Sequence, residues 1–230
     1  MASLIRFLFL LIIKSLARVF YRTEVVWVGE KSKDPFDGLR LGVVLNHTSL
    51  FEPIYSGVLP VSLIWRIAKQ GVFPGADITI DRPIVGKIVK FLAPNVASIT
   101  RKRDESWDAF LHLIREESLV ILAPEGRMKR PTGLDKYGNP MTVLGGIVDV
   151  LQKLGHGKML LVYSGGLHHV HAPGQGMPNL FKRLKVAFEV LEIERYGREL
   201  GAEVDAKLFR SNVIRDLEKR RDLHCPKLDL

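Results

Sequence analysis

Cysteine is nearly missing from this chain of 230 residues. The single thiol, Cys225, excludes a disulfide-stapled scaffold and a cysteine-based zinc finger. Acidic residues are the minority charge, 25 Asp and Glu against 34 Lys and Arg, which leaves a formal net charge of +9. A balance this basic points to a negatively charged partner: lipid headgroups, nucleic acid or a phosphorylated substrate. A long hydrophobic run is missing too. The densest stretch, residues 4–13 (LIRFLFLLII), is interrupted by Arg6 and falls well short of the roughly 18 apolar residues of a spanning helix. Linkers and internal repeats are absent. What is present is 47% hydrophobic residues with 26% charged ones and a mean hydropathy of +0.09. That composition excludes a disordered tail, a collagen and a polytopic membrane protein. The length suits one domain with a sizeable core.

The amino-terminal segment is apolar with cations attached. On a helical wheel Arg6, Lys14, Arg18 and Arg22 fall within about half of the circumference, while Phe7, Leu8, Leu10, Leu11, Val19 and Phe20 supply apolar bulk. This suits residues 1–22 as a helix lying in a membrane interface, its cations at anionic headgroups. Two other readings compete. A cleaved signal peptide would use the small residues around Ser15-Leu16-Ala17, with Lys14 badly placed for it. An ordinary buried helix is the other.

Residues 23–230 form the second expected unit. Strand-like runs fall at 24–28, 40–45, 63–68, 96–100, 118–123, 158–163 and 184–193. Helical stretches fall at 50–58, 84–92, 104–116, 142–154 and 199–222, with Asp104 as a cap and Trp107, Phe110, Leu111 and Ile114 on one apolar face. Trp27, Trp65 and Trp107 sit in apolar stretches and read as core or interface residues. The alternation predicts a single α/β domain with a mostly parallel central sheet flanked by helices, preceded by the membrane-interface helix.

Such sheets place ligands beyond the carboxyl ends of their strands. Two strand ends carry chemistry. In LGVVLNHTSLFEP (41–53) an apolar strand runs into Asn46 and His47, and Glu52 follows. In LVILAPEGRMKR (119–130) another runs into Pro124, Glu125 and Gly126, then Arg127, Lys129 and Arg130. The histidine-to-acid spacing alone is unspecific, because His112/Glu117 and His224/Asp229 repeat it. Context separates them: His112 lies within an amphipathic helix and His224 near the end of the chain, whereas His47 leaves a buried strand and enters a helix-starting turn.

Asn46-His47-Thr48-Ser49 with Glu52, an arginine at Arg101 and Pro124-Glu125-Gly126 stand in an order and spacing that resembles the glycerolipid acyltransferases typified by 1-acylglycerol-3-phosphate acyltransferase. The resemblance covers roughly residues 40–170. Arg82 is a rival for the arginine of the second motif. Arg101 is preferred because it stands one helix and one strand before the Pro-Glu-Gly. Three departures are visible. Glu52 replaces the usual aspartate, Ala-Pro-Glu-Gly-Arg-Met-Lys-Arg replaces Phe-Pro-Glu-Gly-Thr-Arg-Ser, and Tyr163 and Ser164 stand near the place of the fourth motif's proline.

The resemblance implies a membrane-associated enzyme at the cytoplasmic face that moves a fatty acyl group from a thioester to a hydroxyl of a lysophospholipid, chiefly 1-acylglycerol-3-phosphate. His47 is the implied general base and Glu52 its orienting carboxylate. Asn46, Arg101, Glu125, Gly126, Arg127, Lys129 and Arg130 are the implied substrate-binding set, the cations for a phosphate and Glu125 for a glycerol hydroxyl or an arginine. The implied partners are membrane lipids, the lysophospholipid acceptor, and acyl-CoA or acyl carrier protein as donor. No cofactor is implied. The chemistry is sound: a neutral imidazole takes the proton of a weak alcohol nucleophile as it attacks, an effect of typically about 10²–10⁴-fold. A serine nucleophile is not required, and no Gly-x-Ser-x-Gly elbow occurs. Asn46 and the N–H groups of the next helix both remain open as oxyanion donors. The histidines at 168, 169 and 171 have no acid or cysteine at a recognised ligand spacing, so no metal is expected. The basic residues are not interleaved with aromatics and no nucleic-acid motif is found, so no nucleic acid is expected. Acylation of another lysolipid or a glycolipid, and a non-catalytic lipid-binding protein of the same fold, are the alternatives.

Overall fold

The structure, a computed structural model, describes residues 1–227 except 82, 84, 93, 101, 102 and 173, with the side chain of Val85 also left aside. Helix α1 (Ala2–Phe20) leads into β1 (Arg22–Trp27), β2 (Leu39–Leu45) and a 3₁₀ helix, η1 (Glu52–Val58). Then come α2 (Val61–Gln70), β3 (Gly71–Ala76), α3 (Asp77–Ile80), α4 (Val85–Leu92), β4 (Asn95–Ile99), α5 (Glu105–His112) and β5 (Leu119–Leu122). The chain closes with α6 (Gly146–Leu154), β6 (Lys158–Ser164), β7 (Arg183–Glu192), α7 (Ile193–Glu199) and α8 (Ala206–His224).

The strands make one sheet of seven in the order β1-β7-β6-β2-β5-β3-β4. The five from β6 to β4 are parallel. β7 runs antiparallel to β6, and β1 runs parallel to β7. The domain is therefore α/β with a mostly parallel sheet, as the alternating pattern predicts. β6 shows why its apolar run is continuous. Met159, Leu161 and Tyr163 belong to one core with Phe110 of α5, Ile147 of α6 and Phe209 of α8, whereas Leu160 belongs to a second core with Ala17, Ile54 and Leu63. A strand covered on both faces needs apolar side chains at every position. α8 docks by Phe209, Val213 and Leu217, one residue per turn and all buried, each contributing about 1.5–3 kcal/mol of burial.

The run at 63–68 is the helix α2, not a strand. Leu63, Ile64 and Ala68 form its buried face, and the Arg66 Nη2 donates to Leu39 O at 2.6 Å. Short apolar runs satisfy either period, and tertiary packing decides. The missed strand is β3, GVFPGA. Its proline is tolerated because β5 pairs only with Gly71 and Val72, and Pro74 lies beyond that ladder. The helix expected over 199–222 begins only at Ala206: α7 ends at Glu199, Gly201 turns the chain with φ +90°, and Asp205 starts α8 by accepting from Leu208 N at 2.7 Å. Asp104 caps α5 as expected, accepting from Ser106 N at 3.0 Å.

α1 packs on η1, α2 and α4. Its Lys14 is a correction to the headgroup-facing set. The side chain is buried, and Nζ donates to Ser56 O at 3.2 Å, Gly57 O at 2.9 Å and Leu59 O at 2.5 Å. Ser56 O already accepts the Leu59 N–H at 3.1 Å, and the ammonium adds a donor to it and to the Gly57 and Leu59 carbonyls at the end of η1. Gly57 permits the approach, since a Cβ there would stand 3.2 Å from Ala17 Cβ. Replacing Lys14 with methionine is expected to lower unfolding stability by about 1–3 kcal/mol, read as a lower urea midpoint at unchanged slope, because it removes the buried ammonium donor from the Gly57 and Leu59 carbonyls. The opposite face of α1 is open: Leu4, Leu8, Ile12 and Leu16 are about half exposed. Among the described residues no helix is long and apolar enough to cross a membrane.

Candidate active site

The carboxyl ends of β6, β2 and β5 lie side by side in the sheet, and each opens into a loop of the candidate site. After β2, Asn46 adopts φ +61°, a left-handed conformation that asparagine tolerates better than most side chains. Its Nδ2 donates to Ser164 O at the end of β6, at 2.8 Å. The kink carries His47 out of the sheet edge. Glu52, the first residue of η1, turns back toward it.

His47 Nδ1 and Glu52 Oε2 are 2.6 Å apart. Glu52 Oε1 accepts the Thr48 N–H at 3.0 Å, so both carboxylate oxygens are held. An ionised carboxylate only accepts, which puts the imidazole proton on Nδ1 and leaves the Nε2 lone pair free in the neutral ring. Nε2 has no hydrogen-bond partner among the described residues, and the His47 side chain retains 18% exposure. Burial pushes the His47 pKa down, but the charge and hydrogen bond of Glu52 and the charge of Glu125 outweigh it, so the net shift is upward. Two signs follow. The proton-accepting form accumulates only as pH rises through that raised value. The stability contributed by the protonated pair is complete below the unfolded-state value and is lost as pH rises through the folded one. Glu52→Gln is expected to move the acid limb of the activity profile to lower pH, in a comparison of initial rates across pH 5–9.

Glu125 follows β5 and is buried. Its Oε2 accepts His47 N at 2.8 Å, and its Oε1 accepts Asn46 N at 3.3 Å and Arg221 Nη1 at 3.1 Å. Of the two roles the sequence leaves to Glu125, this geometry aligns an arginine, one supplied by α8. Arg221 Nη1 also donates to Met141 O at 3.0 Å. Gly126 sits at φ +62°, a left-handed conformation that favours glycine, and an added Cβ there would also displace the exposed Leu144 tip. Arg127 is ion-paired with buried Asp135. Burial pushes Asp135 up, but the N–H groups of Asn139 and Tyr137 and the Arg127 guanidinium bring it down to about 2. The Lys129 N–H donates to His47 O at 2.8 Å.

The side chains of Lys129 and Arg130 have no ion-pair partner among the described residues. They line an open cleft of about 350 Å³ with Asn46, Thr48, Gly166 and His168. Asn46 and Thr48 flank His47 in the chain, so the turn that carries the imidazole borders the cleft, although the His47 side chain is not part of its lining. A smaller depression of about 160 Å³ around Lys69, Asn95 and Ser118 lies at the amino-terminal ends of the strands, away from His47. Arg101 and its rival Arg82 lie outside the described residues. The neighbouring Arg103 pairs with Asp149 at 3.0 Å.

The loop after β6 closes the third side. Leu167 N donates to Thr48 Oγ1 at 2.8 Å. His168, His169 and His171 each turn Nε2 to a backbone carbonyl, of Lys129, Arg183 and Gln175 respectively. His171 Nδ1 is left to accept from Ser49 Oγ at 3.3 Å. Among the described residues no group of three or more His, Cys, Asp or Glu side chains is placed to hold a metal. Ser49 is 1% exposed and is not presented to a substrate. The site thus offers one oriented imidazole at a strand end, on a turn that borders a cleft lined by two cations unpaired among the described residues. Sequence reasoning missed Arg221, which stands at no motif spacing within the expected last helix.

No protein-family model and no curated protein matches this chain. Among solved structures, the chain is similar to the crystal structure of the 1-acyl-sn-glycerophosphate (LPA) acyltransferase PlsC from Thermotoga maritima. The TM-score is 0.52 and the identity 17%, over 91% of this chain and 78% of that one. The likeness is one of fold.

Proposed function

We propose that the chain is a membrane-associated O-acyltransferase that transfers a fatty acyl group from acyl-CoA or acyl carrier protein to a hydroxyl of a lysophospholipid, with 1-acylglycerol-3-phosphate as the acceptor. The observation that carries the reading is the His47–Glu52 contact on a turn whose neighbours, Asn46 and Thr48, line a cationic cleft. The similarity of fold to an LPA acyltransferase and the motif order agree with it. In this reading the acceptor hydroxyl lies against His47 Nε2. The hydroxyl oxygen attacks the thioester carbonyl while its proton passes to Nε2, and Glu52 steadies the imidazolium. Collapse of the tetrahedral intermediate expels the thiolate, which takes the proton from Nε2, and the base is restored without a covalent acyl-enzyme. Lys129 and Arg130, together with Arg101, attract the acceptor's phosphate. Arg127 is the weakest phosphate ligand of the set, because Asp135 already neutralises it. The open apolar face of α1 rests on the cytoplasmic leaflet, where both fatty substrates reside.

The test is a mass-spectrometric screen of the purified chain against a panel of lysolipids and glycolipids with both thioester donors. Conversion of lysophosphatidic acid to phosphatidic acid is the expected result. Acylation of a different acceptor would keep the chemistry and change the substrate. No acylation with any donor, from protein that is folded, would leave the non-catalytic lipid-binding reading.

A further inference from the structure

Along the same sheet edge as the cleft, since β7 begins where β6 ends, the start of the β1–β7 ladder gathers unbalanced cations. Arg22 and Arg183 are register partners on neighbouring strands. Like charges directly opposite one another repel and destabilise a ladder. Lys182 and Arg18 adjoin them, all four are exposed, and none has an ion-pair partner among the described residues. In the same corner Phe181 has φ +59°, a region costly for a bulky side chain. Its N–H donates to Phe20 O at 2.8 Å, so the end of α1 fixes this conformation. The Phe181 ring meets the Phe20 ring edge-on, 5.6 Å between centroids, yet stays 75% exposed, with Met177 79% exposed nearby in the chain. Nothing else inside the described fold uses the strain, the exposed ring or the repelling arginines.

We infer that this corner, built from Phe181, Met177, Arg18, Arg22, Lys182 and Arg183, is a second membrane contact that takes an anionic lipid surface. Acidic headgroups would relieve the repulsion between Arg22 and Arg183, and the two apolar side chains would enter the headgroup–acyl boundary. Exposed apolar groups among the cations favour a lipid surface over a purely polar polyanion. The corner continues the open face of α1, whose last turn carries Arg18, and the inference rests on the reading of α1 as membrane-facing. Two contacts fix a plane where one helix permits rotation about its axis. The loop that ends at Phe181 reaches the catalytic turn through His171 to Ser49 and is tied to the corner through His169 to Arg183 O. A docked corner therefore sets how the cleft faces the bilayer.

Vesicle flotation of the full chain tests this without any activity measurement. Wild-type protein is expected to float with vesicles containing about 30 mol% phosphatidylglycerol and to float less with pure phosphatidylcholine. The pair Arg22→Glu and Arg183→Glu should cut binding to the anionic vesicles at least about tenfold, and about 0.5 M salt should remove most of the difference. Phe181→Trp should show a blue-shifted emission and quenching by brominated acyl chains on binding. Equal flotation of the double variant and wild type, or an unquenched indole in bound Phe181→Trp protein, overturns the second contact and leaves α1 as the anchor. Failure of the wild type itself to float removes the membrane reading altogether, as does salt-sensitive binding to RNA with none to vesicles.

Discussion

His47→Ala is expected to reduce acyl transfer by about 10²–10⁴-fold while the protein still folds and still floats with vesicles. Only 18% of the His47 side chain is exposed, but its backbone, not its ring, carries the bonds that fasten the turn. His47 N donates to Glu125, and His47 O accepts from Lys129 N. Alanine keeps both and removes the imidazole alone. Glu52 loses its partner at Nδ1 but keeps the Thr48 N–H and its place at the start of η1. Stability should therefore fall by far less than activity does. The measurement is single-turnover transfer to lysophosphatidic acid, alongside a thermal melt. A variant that transfers acyl groups as fast as wild type removes His47 from the chemistry. A variant that loses its fold calls for His47→Gln, which fills the space and cannot act as a base.

The second large effect concerns the pair beneath that turn. The Glu125 side chain is fully buried and that of Arg221 is 13% exposed. Removing one member of such a pair typically costs about 3–5 kcal/mol, because the other charge stays buried without compensation. Glu125→Ala strands the N–H groups of Asn46 and His47 together and leaves Arg221 only Asp222 and Met141 O as partners. It is expected to lower both the thermal midpoint and the transfer rate. The conservative variants separate position from charge. Glu125→Gln keeps an oxygen for the His47 N–H and removes a negative charge that raises the His47 pKa. Its acid limb should move to lower pH. Arg221→Met leaves that carboxylate uncompensated, so its limb should move to higher pH. The other charge that raises the His47 pKa is that of Glu52 on η1; Lys129 and His168 stand in the two flanking loops and His171 beyond Ser49. All of these stay in both variants. Opposite displacements identify Arg221 as a positioning residue acting through Glu125. Parallel losses with unmoved limbs would make the pair a fold brace only.

The same residues show where sequence reading stops. The His47–Glu52 pair was legible because both partners lie within one strand–turn–helix unit, where local geometry ties spacing to contact. The α/β class and every strand but β3 were legible for a related reason: strands buried in a covered sheet are short apolar, β-branched runs. β3 escaped because its glycines and proline satisfy the ladder only where β5 ends. α2 escaped because its apolar run fits both periods. Lys14 was misassigned because a wheel places a cation on a face without knowing what covers that face, and η1 covers this one.

The amino-acid order by itself therefore determined the layering of the domain, the strand ends that bear chemistry and the oriented imidazole, since each follows from short-range period and turn geometry. Only the tertiary structure decided which charges remain available. Asp135 neutralises Arg127, Glu125 is held by two amides and by Arg221, far along the chain on α8, and Lys14 lies beneath the carbonyls of η1. Electrostatic pairing depends on distance in space, and distance in space is set by packing between elements that the linear order does not bring together.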